Sequence, residues 1–304
     1  MLRFVAIRAA QSIVTLLLIS IAVFVLSRAT GDATALSLPL EATDEQRQEF
    51  IRGHGLDQPL PIQYWAYLRD AVGGDFGTSL RTGQPVMGVV AGRFGNSLLL
   101  ATAAMLVAVF ISVPLGVVAA TQRGRAWETV AMVFALIGQS VPSFFMGILA
   151  VLLFAVVLRW LPAGGSPSPS TLVLPAVVLG WAISAGVVRL LRASMIEVLE
   201  SEFVKFAHSK GLAERTVIWK HAVRNALIPV VTFVGLMYGV LIAAAVVVEV
   251  VFAWPGLGQL AYQAVLWRDF PLLQAIVLVW AAAVMIVNFA IDVLYVVLDP
   301  RVRL

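Results

Sequence analysis

The chain has no cysteine, only three histidines and three lysines, and little charge of either sign. Absence of cysteine excludes disulfides, thiolate metal sites and cysteine nucleophiles. His54, His208 and His221 have no metal-ligand spacing with one another, and no Asp or Glu joins them on a helical face. None of the three lysines follows a glycine, so the phosphate-cradling G-x-x-x-x-G-K-[ST] loop is missing and any ATP must be held by another chain. A pI near 9.8 invites a nucleic-acid reading, but there is no dense basic run with interleaved aromatics. Only 12% of the 304 residues are charged, where a soluble domain carries about a quarter.

What the chain has in excess is uncharged length. Its charges concentrate at 28–93 and 189–224, leaving uncharged runs of 19 residues (9–27), 29 (94–122), 30 (129–158), 29 (160–188), 24 (225–248) and 22 (270–291). A bilayer core takes about 20 apolar residues at about 1.5 Å each. Six such runs predict an all-α polytopic membrane protein with six transmembrane helices. The first run follows Arg3 and Arg8 and is longer than the roughly 7–15 residues of a cleavable signal, so it reads as an uncleaved span. A seventh run, 250–267, holds Trp254-Pro255-Gly256-Leu257-Gly258 and is read as an external turn with a short helix. Span 3 has a soft point at Gly138-Gln139-Ser140-Val141-Pro142, where freed backbone groups must face protein or water.

Basic residues set the expected orientation. With the N-terminus inside, cytoplasmic segments carry thirteen basic residues, including all three lysines and Arg301 and Arg303, against eight outside. Both termini and the loop after span 4 are then cytoplasmic, and the segment 30–92 lies outside. That segment reads as a small folded cap. Thr43-Asp44-Glu45-Gln46 is a capping box opening a short helix that Gly53 and Gly55 close. Pro61 opens a second helix, with Tyr64, Trp65, Leu68 and Val72 on one face before Gly73-Gly74. Gly164-Gly165-Ser166-Pro167-Ser168-Pro169 reads as a tight external turn between spans 3 and 4.

Catalysis finds little footing. Ser140 superficially resembles a nucleophile turn, but all histidines lie outside the spans, and a serine needs a base within reach. Ionisable groups inside spans are almost lacking: Glu249 ends span 5 and Asp292 ends span 6, both expected near water. Without a mid-membrane carboxylate an ion-coupled carrier is disfavoured.

The informative stretch is 197–229. It reads as a helix stopped by Gly211, a turn, and a second helix running into span 5. Phe203, Phe206, Ala207 and Lys210 fall on one side at 3- and 4-residue spacing, a set of apolar anchors beside charge suited to a groove on another protein.

Here the chain resembles the integral-membrane permease of bacterial ABC importers, which carries an E-A-A…G…P type signature in this loop. In particular it is similar to the dipeptide/oligopeptide/nickel permease family, first permease of the pair. The resemblance rests on Gly53-His54-Gly55-Leu56-Asp57-Gln58-Pro59, Gly74-Asp75-Phe76-Gly77-Thr78-Ser79 and Pro142-Ser143-Phe144. It continues through Arg189-Leu190-Leu191-Arg192-Ala193-Ser194-Met195, the Glu202–Pro229 loop, Glu249 to Gly258, and Leu298-Asp299-Pro300-Arg301. Three departures stand out: Gly95-Asn96-Ser97 where many relatives have proline–x–threonine, His208 where arginine is common, and Ala213 for a usual serine cap.

The resemblance implies a heteromeric importer of the cell membrane. Two homologous permeases form the pathway, and two ATPase chains carrying ATP and magnesium dock on the cytoplasmic loops. A binding protein delivers substrate from outside. Glu202, Ala207 and Gly211 would belong to the coupling helix, and Asn225 and Pro229 would set the return into span 5. Gly74, Asp75, Gly77 and Ser79 of the cap, with Glu249, Trp254, Pro255, Gly256 and Gly258 of the outer turn, would build the external face. The expected organisation is 1–95 as first span plus cap, and 96–304 as a five-helix core with its coupling loop. No cofactor is expected on this chain. Short peptides are the expected cargo, with nickel chelates, glutathione or haem as alternatives. A stand-alone secondary carrier or channel is the competing class.

Overall fold

A computed structural model of the chain describes residues 2–30, 43–53, 57–165 and 168–298. His54, Gly55, Leu56, Ser166, Pro167, Asp299, Pro300, Arg301 and Arg303 lie outside the described residues. Among the described residues the structure is helical, with one isolated bridge pairing Thr78 and Pro85. Five helices are long and apolar enough to cross a membrane, and a bent helix pair makes a sixth crossing if counted as one span. The chain divides into two compact units at Gly95/Asn96 and again at Pro255/Gly256.

The first unit takes the described residues up to Gly95 together with Gly256–Phe289. It contains α1 (Leu2–Thr30), α2 (Asp44–Gly53), α3 (Leu60–Val72), the start of α4 (Val86–Thr121), α11 (Leu257–Trp267) and most of α12 (Phe270–Leu298). The capping box of α2 forms as expected. Thr43 N donates to Gln46 Oε1 at 3.0 Å, and Gln46 N donates to Thr43 Oγ1 at 3.3 Å. In α3 the expected single apolar face is split: Tyr64 packs edge-on against Phe24 and shares a 2.8 Å hydrogen bond with Ser20, while Trp65 and Val72 are exposed. Tyr67 joins the inner side against Phe24. Burial, then the nearby Tyr64, push its hydroxyl above the ordinary phenol range. The core of this unit is Val86 and Val90 of α4 against Leu257, Leu260 and Ala264 of α11 and Leu272, Ala275 and Ile276 of α12. Within the short 250–267 run, Leu257–Trp267 is thus a packed helix, too short to span.

The second unit comprises Asn96–Pro255 with residues from Ala290. It holds the rest of α4, then α5 (Ala126–Ser140), α6 (Ser143–Ala150, continuing as a π-helix over Val151–Val157) and α7 (Pro169–Leu199). The loop helices α8 (Glu202–Ser209) and α9 (Glu214–Thr216) follow, then a π-helical Val217–Ala222 that runs into α10 (Val223–Val251). Its main core gathers Val117 and Ala120 of α4, Val187, Leu191 and Met195 of α7, and Ala222, Val223, Ala226 and Val230 at the start of α10. Lipid is as apolar as these side chains, so close packing rather than escape from water holds such helices together, and small residues such as Ala120 and Ala226 allow it.

The soft point in span 3 is a true break, with α5 and α6 meeting at 103°. Proline disfavours helical backbone in the residue before it, and Val141 is extended (φ −89°, ψ 130°). Gly138 sits one turn earlier because a Cβ there would lie 2.4 Å from Trp181 Cδ1. Ser140 closes α5 at this kink, the structural role expected of it. α7 begins with a capping box between Ser168 and Thr171, with Pro169 in the first turn.

Candidate functional site

The loop after α7 has the expected form. α8 opens after Ser201 and closes at Lys210, and Gly211 takes φ +72°, the left-handed turn that lets the chain double back. Ala213 precedes α9 with no side-chain cap, as its substitution for serine implied. His208 Nε2 and Glu214 Oε2 lie 2.9 Å apart and tie the two short helices. The faces of α8 differ from the expected grouping. Val204 and Ala207 turn inward against Val217, with Val198 and Leu199 beside them. Phe203 and Phe206 are 44% and 60% exposed. The Lys210 ammonium lies 4.5 Å from the Phe206 ring centroid, while Glu202 pairs with Lys205 at 2.7 Å. Ala207 therefore anchors α8 to its own chain, and Phe203, Phe206 and Lys210 form the outward edge. Pro229 lies inside α10 rather than at its entrance, and Asn225 Nδ2 donates to the His221 carbonyl at 2.8 Å where the π-helix hands over to α10.

The far end of α10 also departs from the expected arrangement. Glu249 is fully buried rather than placed near water. Its Oε1 accepts from Ser97 Oγ at 2.6 Å, and its carbonyl accepts from Trp254 N at 2.8 Å. Asn96 Nδ2 donates to the Pro255 carbonyl at 2.9 Å, and the buried Trp254 donates through Nε1 to the Asn96 carbonyl at 3.0 Å. Asn96 and Ser97, read from sequence only as departures from a family pattern, thus clamp the turn that carries Glu249, Trp254 and Pro255. No local signal could reveal a partnership across 152 residues.

In the first unit the Gly74–Ser79 segment forms a tight hairpin. Gly74 and Gly77 have φ +78° and +72°, Asp75 Oδ1 accepts from Gly77 N at 2.8 Å, and Ser79 N donates to the Gln84 carbonyl at 2.9 Å. Ser79 Oγ donates to Asp269 Oδ2 at 2.5 Å. Asp269 is fully buried, also accepts from Arg81 N, and caps α12 through Leu272 N at 3.2 Å. Gly256 precedes α11 in extended backbone, and Gly258 is buried in its first turn.

The structure also places ionisable groups inside helices where the sequence reading saw almost none. α7 continues to Leu199, so Arg189 and Arg192 are helical residues rather than loop residues. Arg192 Nε donates to Glu128 Oε1 at 2.8 Å, and Arg123 pairs with Glu200 at 3.2 Å. Arg189 Nη2 donates to Gln139 Oε1 at 3.0 Å, at the break between α5 and α6. Phe134 and Trp181 stack nearby at 4.9 Å, and Trp181 Nε1 donates to the Phe134 carbonyl.

Apolar helices of spanning length with a short helix turned outward from one loop define a polytopic helical membrane protein. The chain belongs to the binding-protein-dependent transport system inner membrane component family, whose description matches residues 112–304, with the family's N-terminal part over residues 1–102. It is 40% identical over 305 residues to the glutathione transport system permease protein GsiC of Escherichia coli (strain K12), covering 100% of this chain and 99% of that protein. The same holds for GsiC of Shigella dysenteriae serotype 1 (strain Sd197), again 40% identical over 305 residues. Among solved structures the fold is similar to an inward-facing MetNI methionine ABC transporter chain, with TM-score 0.60 and 16% identity over 71% of this chain and 99% of that one. An amino acid ABC transporter also shares the fold, with TM-score 0.53 and 15% identity over 68% of this chain and 93% of that one. The protein is a multi-pass permease subunit of an ABC importer.

Proposed function

We propose that this permease pairs with a homologous second permease to form a pathway for short peptides. Two ATPase subunits, holding ATP and magnesium, drive it from the cytoplasm, and an external binding protein supplies the cargo. The observation that carries the ATPase reading is the arrangement of α8. One side is fixed to its own chain through Val204 and Ala207, and the other offers Phe203 and Phe206 beside Lys210. Exposed aromatic anchors on a short, rigidly seated helix suit insertion into a partner's groove. ATP binding would draw the ATPases together, and α8, continuous through Gly211 and α9 with α10, would tilt the spans. Support for peptide cargo comes from the relatives named for glutathione, itself a short peptide derivative.

Orientation in this reading puts α8 and both termini in the cytoplasm and residues 30–92 outside. The chain has no cysteine, so Ser209→Cys creates a unique thiol. It should escape a membrane-impermeant maleimide in intact cells and react after lysis; labelling in intact cells would reverse the topology. Function is tested by reconstituting both permeases, both ATPases and the binding protein in proteoliposomes. ATP-dependent uptake of di- and tripeptides is expected, and uptake by this chain without the ATPases would instead identify a stand-alone carrier.

A further inference from the structure

The cation at the helix break has no role in the coupling scheme. Its depth can be read from the helices that carry it. α5 and α7 run antiparallel, because Glu128 meets Arg192 while Phe134 stacks on Trp181. The exposed Arg123–Glu200 pair and the half-buried Glu128–Arg192 pair give a polar reference level at this end of the two helices. Along α5, Gln139 stands eleven residues beyond Glu128, about 16 Å at 1.5 Å per residue. Arg189 starts only about 4.5 Å from that level. Its side chain leans toward the start of α7, as helical side chains do, and reaches up to Gln139. The guanidinium is thereby held on the order of 10 Å beyond that level, toward the middle of the apolar stretches of α5 and α7.

An arginine facing lipid would snorkel back toward the polar layer. Arg189 does the opposite. It is exposed, Gln139 is its one hydrogen-bond partner among the described residues, and among those residues no carboxylate forms an ion pair with it. An amide fixes the direction of the fork without neutralising it, and most of its donors remain for another group. A charge held this way at membrane depth belongs in a water-filled path and fits an anion that visits it. Guanidinium matches carboxylate in bidentate geometry. Trp181 of α7 packs on Gly138, the residue before Gln139, and so holds this end of α5 against α7.

We infer that Arg189, aimed by Gln139, is a carboxylate-recognition group for cargo in the translocation path. The inference rests on the peptide reading above and names the part of the peptide that is recognised, its C-terminal carboxylate.

The test uses the complete reconstituted importer and one tripeptide in two forms, with a free C-terminal carboxylate and as the C-terminal amide. Variants are Arg189→Gln, Arg189→Lys and Gln139→Glu. Arg189→Gln should lower uptake of the free acid about 10-fold to 100-fold, the worth of charge-assisted hydrogen bonds, while uptake of the amide stays within about twofold. Arg189→Lys should fall between, having charge without the fork. Gln139→Glu supplies an internal carboxylate to Arg189. It should keep both permeases and the ATPases assembled yet depress free-acid uptake as Arg189→Gln does. Equal loss of acid and amide, normal free-acid uptake by Gln139→Glu, or loss of the second permease from the Arg189→Gln complex would each overturn the site while leaving the peptide reading intact. A wild-type importer that moves neither tripeptide overturns the peptide reading, and this inference with it.

Discussion

The hydroxyl of Ser97 donates to the carboxylate of Glu249 at 2.6 Å, and both side chains are buried. The pair joins α4 to the end of α10, and the Asn96–Pro255 and Trp254–Asn96 hydrogen bonds close the same corner. Removing one partner leaves the other's polar group buried with a donor lost. Ser97→Ala should therefore destabilise the chain by about 1–3 kcal/mol, read as a lower Tm in detergent, and Ser97→Thr should restore most of it. Glu249→Gln keeps an acceptor and should leave transport without any new pH dependence. A proton-driven component lost in that variant would mean the carboxylate carries protons.

Asp269 does two tasks with one carboxylate, capping α12 and receiving the Ser79 hydroxyl of the hairpin. Asp269→Ala should loosen both, at about 1–3 kcal/mol. The exposed Arg81 at the hairpin tip makes this measurable, since trypsin cleavage there should accelerate roughly tenfold as local opening becomes easier. Unchanged cleavage would show that the hairpin is held by other contacts.

Gly138 is fixed by sterics. A methyl group there would lie 2.4 Å from Trp181 Cδ1 and 2.6 Å from its carbonyl oxygen. Because backbone is involved, the neighbour cannot simply rotate away. Gly138→Ala should cost about 1–3 kcal/mol as overpacking, seen as a Tm drop with a shift in tryptophan emission. Ser140→Ala, two residues on at the kink, should match wild type in both measurements.

At the cytoplasmic loop two substitutions separate turn from contact. Gly211 has positive φ and open space around it, so Gly211→Val is penalised by backbone alone, about 1–2 kcal/mol. That variant should keep its ATPases and lose the coupling of hydrolysis to uptake. Phe206→Asp leaves the fold alone, since Phe206 is exposed, and should shed the ATPase on co-purification. Normal ATPase retention by Phe206→Asp would show that the outward edge of α8 is solvated and does not dock the ATPase.

Much of this architecture is local and was legible in the residues. Uncharged runs gave the crossings because a bilayer demands length and neutrality together. The break at Val141-Pro142 followed from what proline forbids, and the α8–Gly211–α9 turn from a glycine between two helical segments. Charge-based span ends fell short at Arg189, because α7 continues through its charged residues to Leu199. Faces were harder. The spacing that grouped Ala207 with Phe203 and Phe206 is real, but Ala207 lies at the edge of that side and Val217 claims it.

Composition and periodicity by themselves determined that this is a polytopic helical membrane protein, with its crossings and the position of its breaks, because each depends on neighbours within a few turns of helix. Tertiary structure alone decided the partners of the few polar groups: Ser97 with Glu249 across 152 residues, Ser79 with Asp269 across 190, and Arg189 with Gln139 across 50. A buried or membrane-depth polar group must find a hydrogen-bond partner wherever packing delivers one, and which helix faces meet is fixed by the fit of many apolar side chains at once.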